Sequence, residues 1–338
     1  MRNYICLSQS VFQEDAFSLV PLRDQDKFEI LTMRNEQMYH LRQAKPLSVQ
    51  DQEAYFKNVV AKLFEENQPT QLLFSFLKDG EFIGYGGLVH INWTDQHAEV
   101  SFIMKTELEQ DFFAYYWEIY LSLLDKLAFD TLHFHKIFTY AFDVRPHLYP
   151  ILASRGFKEE ARLKDHCLFD GQFIDVVYHG KINNNVTFRK ADEFDVMLYF
   201  IWANDPAVRQ YSYQTDPINL EDHSNWFKNQ LANDQCFLYV FCNHIGTPVG
   251  QVRIQKKEEY SAVIGISNDS KHRGKGYASQ MIQMATRDVI SENPQLAIEA
   301  FVKHDNIASQ RAFEKAGYQL KQTLEIEGVL SNKYTFQK

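Results

Sequence analysis

The run KHRGKG sets Lys271, His272, Arg273 and Lys275 around Gly274 and Gly276, and from Tyr277 onward the apolar residues take a helical spacing. A basic, glycine-bearing turn at a helix start suits an anion. The first N–H groups of a helix have no internal partners, and the helix dipole favours negative charge there. Glycines let backbone approach phosphate oxygens with no Cβ in the way. Taken alone, the run reads equally well as a solvated basic turn. It is not a P-loop, because GxxxxGK[ST] is absent, and it lacks the GxGxxG of dinucleotide sites.

A second group of residues lies upstream, in WANDPAVRQYSYQTDPINLEDHSNWF. The aromatic faces of Trp202 and Trp226 suit a sugar or a base, and Arg209 or Arg253 could hold a diphosphate through paired N–H donors. His223 has the near-neutral basicity needed to take a proton from an ammonium group. Each has a plainer alternative. The tryptophans can be core, Arg209 can cap a helix, Arg253 can pair with Glu258 or Glu259, and His223 can be a half-buried structural histidine.

The elements that would position these groups follow from periodicity and caps. In the second half VTFRK reads as a strand, and Asp192 caps a helix running to about Ala203. Asn219 caps a second helix. CFLYVFC, PVGQVRI and YSAVIGIS read as three strands separated by NHIGT and KKEE. A helix over 275–290, the strand LAIEAFV, a helix over 306–316 and two final strands complete the order β-α-α-β-β-β-α-β-α-β-β. The first half gives the same order, with helices near 26–35, 48–64, 108–128 and 146–155. An internal repeat supports this. PLSVQDQEAYFKN starts at Pro46 and PINLEDHSNWFKN at Pro217, FIGYGG matches PVGQV, and SRGF matches KAGY. The polar NNN at 183–185 marks the boundary, giving domains over 1–181 and 182–338.

Composition narrows the class. The 338 residues carry a formal charge of −9 with 45% hydrophobic residues, enough for a core in each half and opposed to broad nucleic-acid binding. Cys6, Cys167, Cys236 and Cys242 show no CxxC spacing, so reduced thiols and a cytoplasmic location are expected, without disulfides or zinc. His133 and His135 have no evident third ligand, and no metal is expected. The N-terminal MRNYICLSQS resembles neither a signal nor a transit sequence. The longest apolar runs, such as VMLYFIWA, fall short of the roughly 20 residues that span a bilayer, so no membrane partner is expected.

With KHRGKG after the fourth strand and DNIASQRAFEKAGY (305–318) after the fifth, the sequence resembles the GNAT superfamily of acetyltransferases, and it does so twice. Lys271 stands where the family usually has Gln or Arg. The resemblance implies an α/β (α+β) class with two tandem GNAT folds, each a mixed, mostly antiparallel sheet flanked by helices. It implies acetyl-CoA as acetyl donor, with the pantetheine between splayed fourth and fifth strands. The implied cofactor contacts are Ile266, Lys271, His272, Arg273, Gly274, Lys275, Gly276, Tyr277, Asn306, Ser309, Arg311 and Phe313. A backbone N–H around Ile264 to Ser267 would polarise the thioester carbonyl. Gly265 marks either a bulge that starts the splay or a close packing contact. Two departures are evident: Phe313 stands where many relatives have a Tyr that protonates the thiolate, and AVIGIS lacks the carboxylate that some relatives use as base.

The acceptor-side run is similar to the branch that acetylates amino groups of nucleotide-linked deoxysugars, including pseudaminic-acid pathway enzymes. That likeness implies a substrate site at Trp202, Asn204, Arg209, Trp226, Gln251 and Arg253, with His223 as the catalytic candidate. The resulting expectation is an acetyl-CoA-dependent N-acetyltransferase acting by direct transfer in a ternary complex on a small amine acceptor. Two alternatives stand beside it: an acetyltransferase for protein N-termini, and a noncatalytic acyl-CoA-binding or assembly protein. The first half shows the family pattern in FIGYGGLVH and AEVSFIM but has no glycine in KTELEQDFFAYYWEIYL, and Arg145-Pro146 replaces Asn306. It is expected to carry no acetyl-CoA in the usual way, and instead to position substrate, support a homodimer or bind another ligand.

Overall fold

The computed structural model describes residues 2–336 and divides the chain into two units between Asn183 and Asn184. In the first unit the order is β1 (Phe12–Glu14), β2 (Phe17–Pro21), α1 (Lys27–Glu36) and α2 (Val49–Tyr55), which continues through a π turn into α3 (Ala61–Leu63). Then come β3 (Leu72–Lys78), β4 (Glu81–Asn92), β5 (His97–Met104), α4 (Thr106–Asp125), β6 (Lys136–Phe142), α5 (Tyr149–Ser154), β7 (Lys158–Phe169) and β8 (Gln172–Ile182). Its eight strands lie in the order β1-β2-β3-β4-β5-β6-β8-β7.

The second unit runs β9 (Val186–Lys190), α6 (Val196–Ala203), α7 (Pro206–Tyr211), α8 (Leu220–Leu231), β10 (Cys236–Asn243), β11 (Pro248–Glu258), β12 (Ser261–Asn268), α9 (Tyr277–Glu292), β13 (Ala297–Lys303), α10 (Ile307–Lys315), β14 (Gln319–Ile326) and β15 (Val329–Phe336). Its seven strands lie in the order β14-β15-β13-β12-β11-β10-β9. Both sheets are mixed and mostly antiparallel, with helices on their faces, as the sequence implied. The structure adds two short elements, β1 and α7, and carries β11 through Lys256 and Lys257, which the sequence pattern assigned to a turn.

The same local devices recur in the two units. A buried aspartate starts the first long helix of each and is held by an arginine fork: Asp26 by Arg23 at 2.7 and 2.8 Å, and Asp195 by Arg189 at 2.6 and 2.7 Å. An asparagine at the end of that helix region then clamps the residue after the repeated proline. Asn35 exchanges two hydrogen bonds with the Leu47 backbone (2.9 and 2.8 Å), and Asn204 does the same with Ile218 (3.2 and 2.8 Å).

In the second unit, strand alternation divides the core in two. Val252, Ile254, Ala262 and Ile264 pack against Met281, Ile282, Ala285 and Val289 of α9. On the opposite face Leu238 and Val240 pack against Tyr199, Trp202 and Phe227 of α6 and α8. The α9 helix fits closely enough over the sheet that a Cβ at Gly250 would lie 2.5 Å from the Ser267 carbonyl oxygen and 2.7 Å from the Met281 methyl. Gly250→Ala is therefore expected to cost about 1 to 3 kcal/mol through overpacking. Urea unfolding reads this directly, and an unchanged midpoint would contradict the packing described.

Candidate active site

The sheet of the second unit opens at its one parallel pairing among the described residues. β12 and β13 pair from Ser261↔Ala297 to Val263↔Glu299 and no further. Past that rung β12 continues to Asn268 and β13 to Lys303, so the facing edges carry backbone groups free of ladder partners. On its other edge β12 stays in register with β11, Arg253 facing Gly265 and Gln251 facing Ser267, and the ladder irregularity falls between Lys256 and Glu258. The bulge considered at Gly265 is therefore absent. A Cβ there would meet only the Arg253 guanidinium, at 3.9 Å, so close packing is absent too.

At the open end of β12, Asp269 gathers three elements. It accepts hydrogen bonds from the Lys271 N–H (2.9 Å) and from the indole N–H of Trp202 (3.2 Å), and lies 3.1 Å from Nδ1 of His272. Burial would raise the Asp269 carboxyl, but Trp202, the Lys271 N–H and His272 outweigh it and hold the group below its ordinary value. The chain then turns through Gly274 at φ +75° and Gly276 at φ +82°, and Gly276 caps α9. A Cβ on Gly274 would meet nothing within 4 Å, which leaves an open approach to the backbone. Lys271, Arg273 and Lys275 are exposed around it. Arg273 donates to Asp205 (2.6 Å) and to the Asn268 carbonyl (3.3 Å), while Asp205 also caps α7 through the N–H groups of Ala207 and Val208.

Asn306 caps α10 by accepting from the Ser309 N–H at 3.1 Å. Arg311 is exposed on the same helix, and Ile266 packs partly buried on the α9 side. The side chains of two expected cofactor contacts lie in the core. The Tyr277 ring is 4% exposed, and Phe313, at 2%, packs against Tyr318 and Tyr334. The Phe313 ring therefore has no surface to offer a ligand.

The acceptor-side residues separate in the same way. Trp202 is buried and offers its N–H to Asp269 rather than a face to a ligand. Asn204 is the loop clamp described above. Arg209 donates to Ser212 and to the Gln214 carbonyl, holding its own loop, and burial lowers its pKa. These three shape the segment rather than face outward. Gln251 and Arg253 share one face of β11, and Trp226 of α8 packs over it, all three partly exposed. Arg253 lies over the Trp226 ring at 5.5 Å and pairs with no carboxylate among the described residues, Glu258 and Glu259 included. Gln251 donates to Ser267 at 3.3 Å, and its buried Oε1 has no partner.

His223 is buried between Phe200, Trp226 and Phe227, with ring separations of 5.4, 5.4 and 6.2 Å. Its Nε2 is buried without a partner. A proton relay to a ligand would require these rings to move, so the geometry favours the core reading over the catalytic one. The sequence reading missed Glu299. Alternation in LAIEAFV places it opposite Ile298 and Ala300, and the register sets it at the last rung of the split, where it pairs with Lys333 at 2.7 Å.

The first unit opens at the equivalent place, since β5 and β6 pair only from His97↔Lys136 to Glu99↔Phe138. No glycine turn follows. The first turn of α4 carries Glu107 and Glu109, and Glu109 accepts from Tyr39 (2.6 Å) and pairs with Arg145 (3.2 Å).

A mixed sheet split at a short parallel ladder, with a basic glycine turn opening the next helix, is the architecture of an acyl-CoA-dependent transferase. The chain carries two GNAT acetyltransferase domains in tandem: profiles described as "Acetyltransferase (GNAT) domain" match residues 19–178 and 185–319. GNAT acetyltransferases use acetyl-CoA as donor. Among solved structures, the spermidine N-acetyltransferase of Vibrio cholerae, in complex with CoA and spermine, is 16% identical with a TM-score of 0.42, covering 46% of this chain and 96% of its own. An aminoglycoside acetyltransferase in complex with coenzyme A is 17% identical with a TM-score of 0.40, covering 46% and 95%. A GNAT-family acetyltransferase of Bacillus anthracis is 20% identical with a TM-score of 0.41, covering 46% and 96%. No curated protein sequence matches the chain.

A buried imidazole, His223, and a half-buried one, His40, give the molecule an expected pH response. Burial outweighs a backbone hydrogen bond at Val196 and lowers the His223 pKa, while burial and the nearby Arg145 bring His40 down to about 3. Both then titrate lower folded than unfolded. Their stabilising contribution is complete above about pH 6.5 and declines as pH falls toward the folded values. Ring-proton NMR should place the His223 midpoint below that of an unfolded-state histidine, and an ordinary midpoint would refute its burial.

Proposed function

We propose that the second unit binds acetyl-CoA in the split between β12 and β13, and passes the acetyl group directly to the amine of a nucleotide-linked amino-deoxysugar. On this reading the pyrophosphate lies at residues 271–277. Exposed Lys271 and Lys275, the Cβ-free approach at Gly274 and the start of α9 together favour an anion there. Asn306, Ser309 and Arg311 stand across the split, and the free edge of β12 offers N–H groups to the amide arm and to the thioester oxygen. In the transfer the amine lone pair forms the new C–N bond, the C–S bond breaks to release CoA as a thiolate that takes a proton from water, and the amine proton is released. Glu299, at the mouth of the split, is the carboxylate we assign to take that proton.

The acceptor half of the reading rests on Arg253. A guanidinium stacked on Trp226, beside an open glycine and without a carboxylate, is a cation awaiting an anion, and it would repel a polycation. A diphosphate linked to a flat base satisfies both groups. A peptide N-terminus would leave Arg253 without its counterion.

The deciding assay offers UDP- and dTDP-linked amino sugars beside spermidine and N-terminal peptides, and follows CoA release. Acetylation of the peptides or spermidine with none of the sugars would reject the acceptor. Arg253→Gln is expected to raise the KM for the acceptor roughly tenfold or more while leaving acetyl-CoA affinity intact.

Gly274→Asp places a carboxylate where the pyrophosphate approaches and should reduce acetyl-CoA affinity on the order of a hundredfold. Asp205→Asn removes the internal anion that competes for Arg273 and should tighten binding instead. Calorimetry on both variants reads the two opposite signs, at one acetyl-CoA per chain. Unchanged affinity in both folded variants would exclude this loop.

A further inference from the structure

The chain passes from the first unit to the second between Asn183 and Asn184, and each asparagine is held by its own unit. Asn183 is buried. It donates its side-chain N–H to the Phe134 carbonyl at 2.9 Å and its backbone N–H to the His135 carbonyl at 2.8 Å. Asn184 is held through its backbone alone: its carbonyl accepts from Nε2 of Gln280, one turn into α9, at 2.8 Å. Its side chain is left exposed and makes no hydrogen bond among the described residues.

The Gln280 bond delivers that side chain to the glycine turn. Nδ2 of Asn184 lies 3.3 Å from where a Cβ on Gly276 would stand. Gly276, at φ +82°, is the residue that turns the chain into α9, and the N–H groups after it are those a helix cannot satisfy internally. An amide donor beside them adds one more hydrogen bond for an anion, of the stronger kind made to a charged partner. The repeat supplies a contrast. β9 begins opposite Asn243 at Val186, and β2 begins opposite Lys78 at Phe17. Two residues before these rungs stand Asn184 and Asp15. The unit with the basic glycine turn has a donor at this position, and the unit without one has a carboxylate.

We propose that Asn184 is a ligand of the acetyl donor: its side-chain amide donates to the pyrophosphate of acetyl-CoA at the glycine turn. Gln280 is the positioning residue, because it fixes the backbone from which the amide reaches. A bound donor then also restrains the junction, since its ligand is the first residue of the second unit. This inference rests on the donor site assigned to residues 271–277.

The test uses the full chain and calorimetry with CoA and with dephospho-CoA, which keeps the pyrophosphate and lacks the 3′-phosphate. Asn184→Ala is expected to weaken both ligands alike, roughly tenfold, and Asn184→Asp to weaken them further. Both variants retain the backbone carbonyl that Gln280 holds. Unchanged affinity in Asn184→Ala overturns the proposal, and so does a loss confined to CoA, which would move the contact to the 3′-phosphate. Gly274→Asp separates this inference from the reading beneath it. If Gly274→Asp weakens CoA and Asn184→Ala does not, the glycine turn holds the donor without Asn184. If neither weakens it, the donor site is misplaced and the proposal falls with it. Hydrogen exchange gives a readout apart from affinity: saturating CoA should slow exchange over 182–186 in the wild type more than in Asn184→Ala. Equal protection in the two would contradict a ligand role for Asn184.

Discussion

A parallel ladder three rungs long governs both halves of this molecule. Strands that pair in parallel for only that distance must diverge, and the divergence leaves two facing edges whose N–H and C=O groups have no partner from the sheet. Unpaired backbone inside a domain is unfavourable, so the opening persists only because everything around it is fixed. In the second unit β12 is locked to β11 along its whole length, and β13 to β15. The slot is thus a designed defect between two rigid edges.

Around the slot, a few carboxylates hold elements together that sequence keeps far apart. Asp269 joins the α6 tryptophan to the turn before α9, and Asp205 joins the start of α7 to Arg273. The helices on the acceptor side and the glycine turn therefore share hydrogen bonds. Tyr213 and Lys303 extend this coupling, tying the loop after α7 to Ser331 of β15 and the end of β13 to the Gln210 carbonyl. These contacts bridge the two sides of the slot. The carboxylate at the last rung also changes strand between the halves: Glu99 sits on β5, whereas in the second unit its position is Val263 and the acid is Glu299 on the facing strand.

Most of the architecture was legible in the sequence because its signals are periodic. Alternation marked the strands, and Asp192 and Asn219 marked helix starts that the structure confirms as caps. The elements missed were short: β1 spans three residues and α7 six, too few to establish a period, although Asp205-Pro206 did carry a cap signal. Side-chain roles were harder to read. Trp202, Tyr277 and Phe313 have the types expected at a ligand site, but type does not say which face of an element looks inward. The clamp made by Asn204 was not legible for a related reason, because its partner is a backbone group fourteen residues away. The repeat carries the same clamp with a shorter spacing, since Asn35 bonds Leu47, the residue after Pro46, as Asn204 bonds Ile218 after Pro217.

That asparagine clamp has an implication for how such chains diversify. It fastens both ends of the segment bordering the slot, over a separation of 12 residues in one half and 14 in the other. With its ends pinned, the intervening stretch can lengthen, shorten or exchange its residues while the sheet beneath stays in register. Variation is thereby confined to a cassette at the border of the slot, and a transplant between the halves, cut at the clamp, would exchange that border while Trp226 and Arg253 keep their places on α8 and β11.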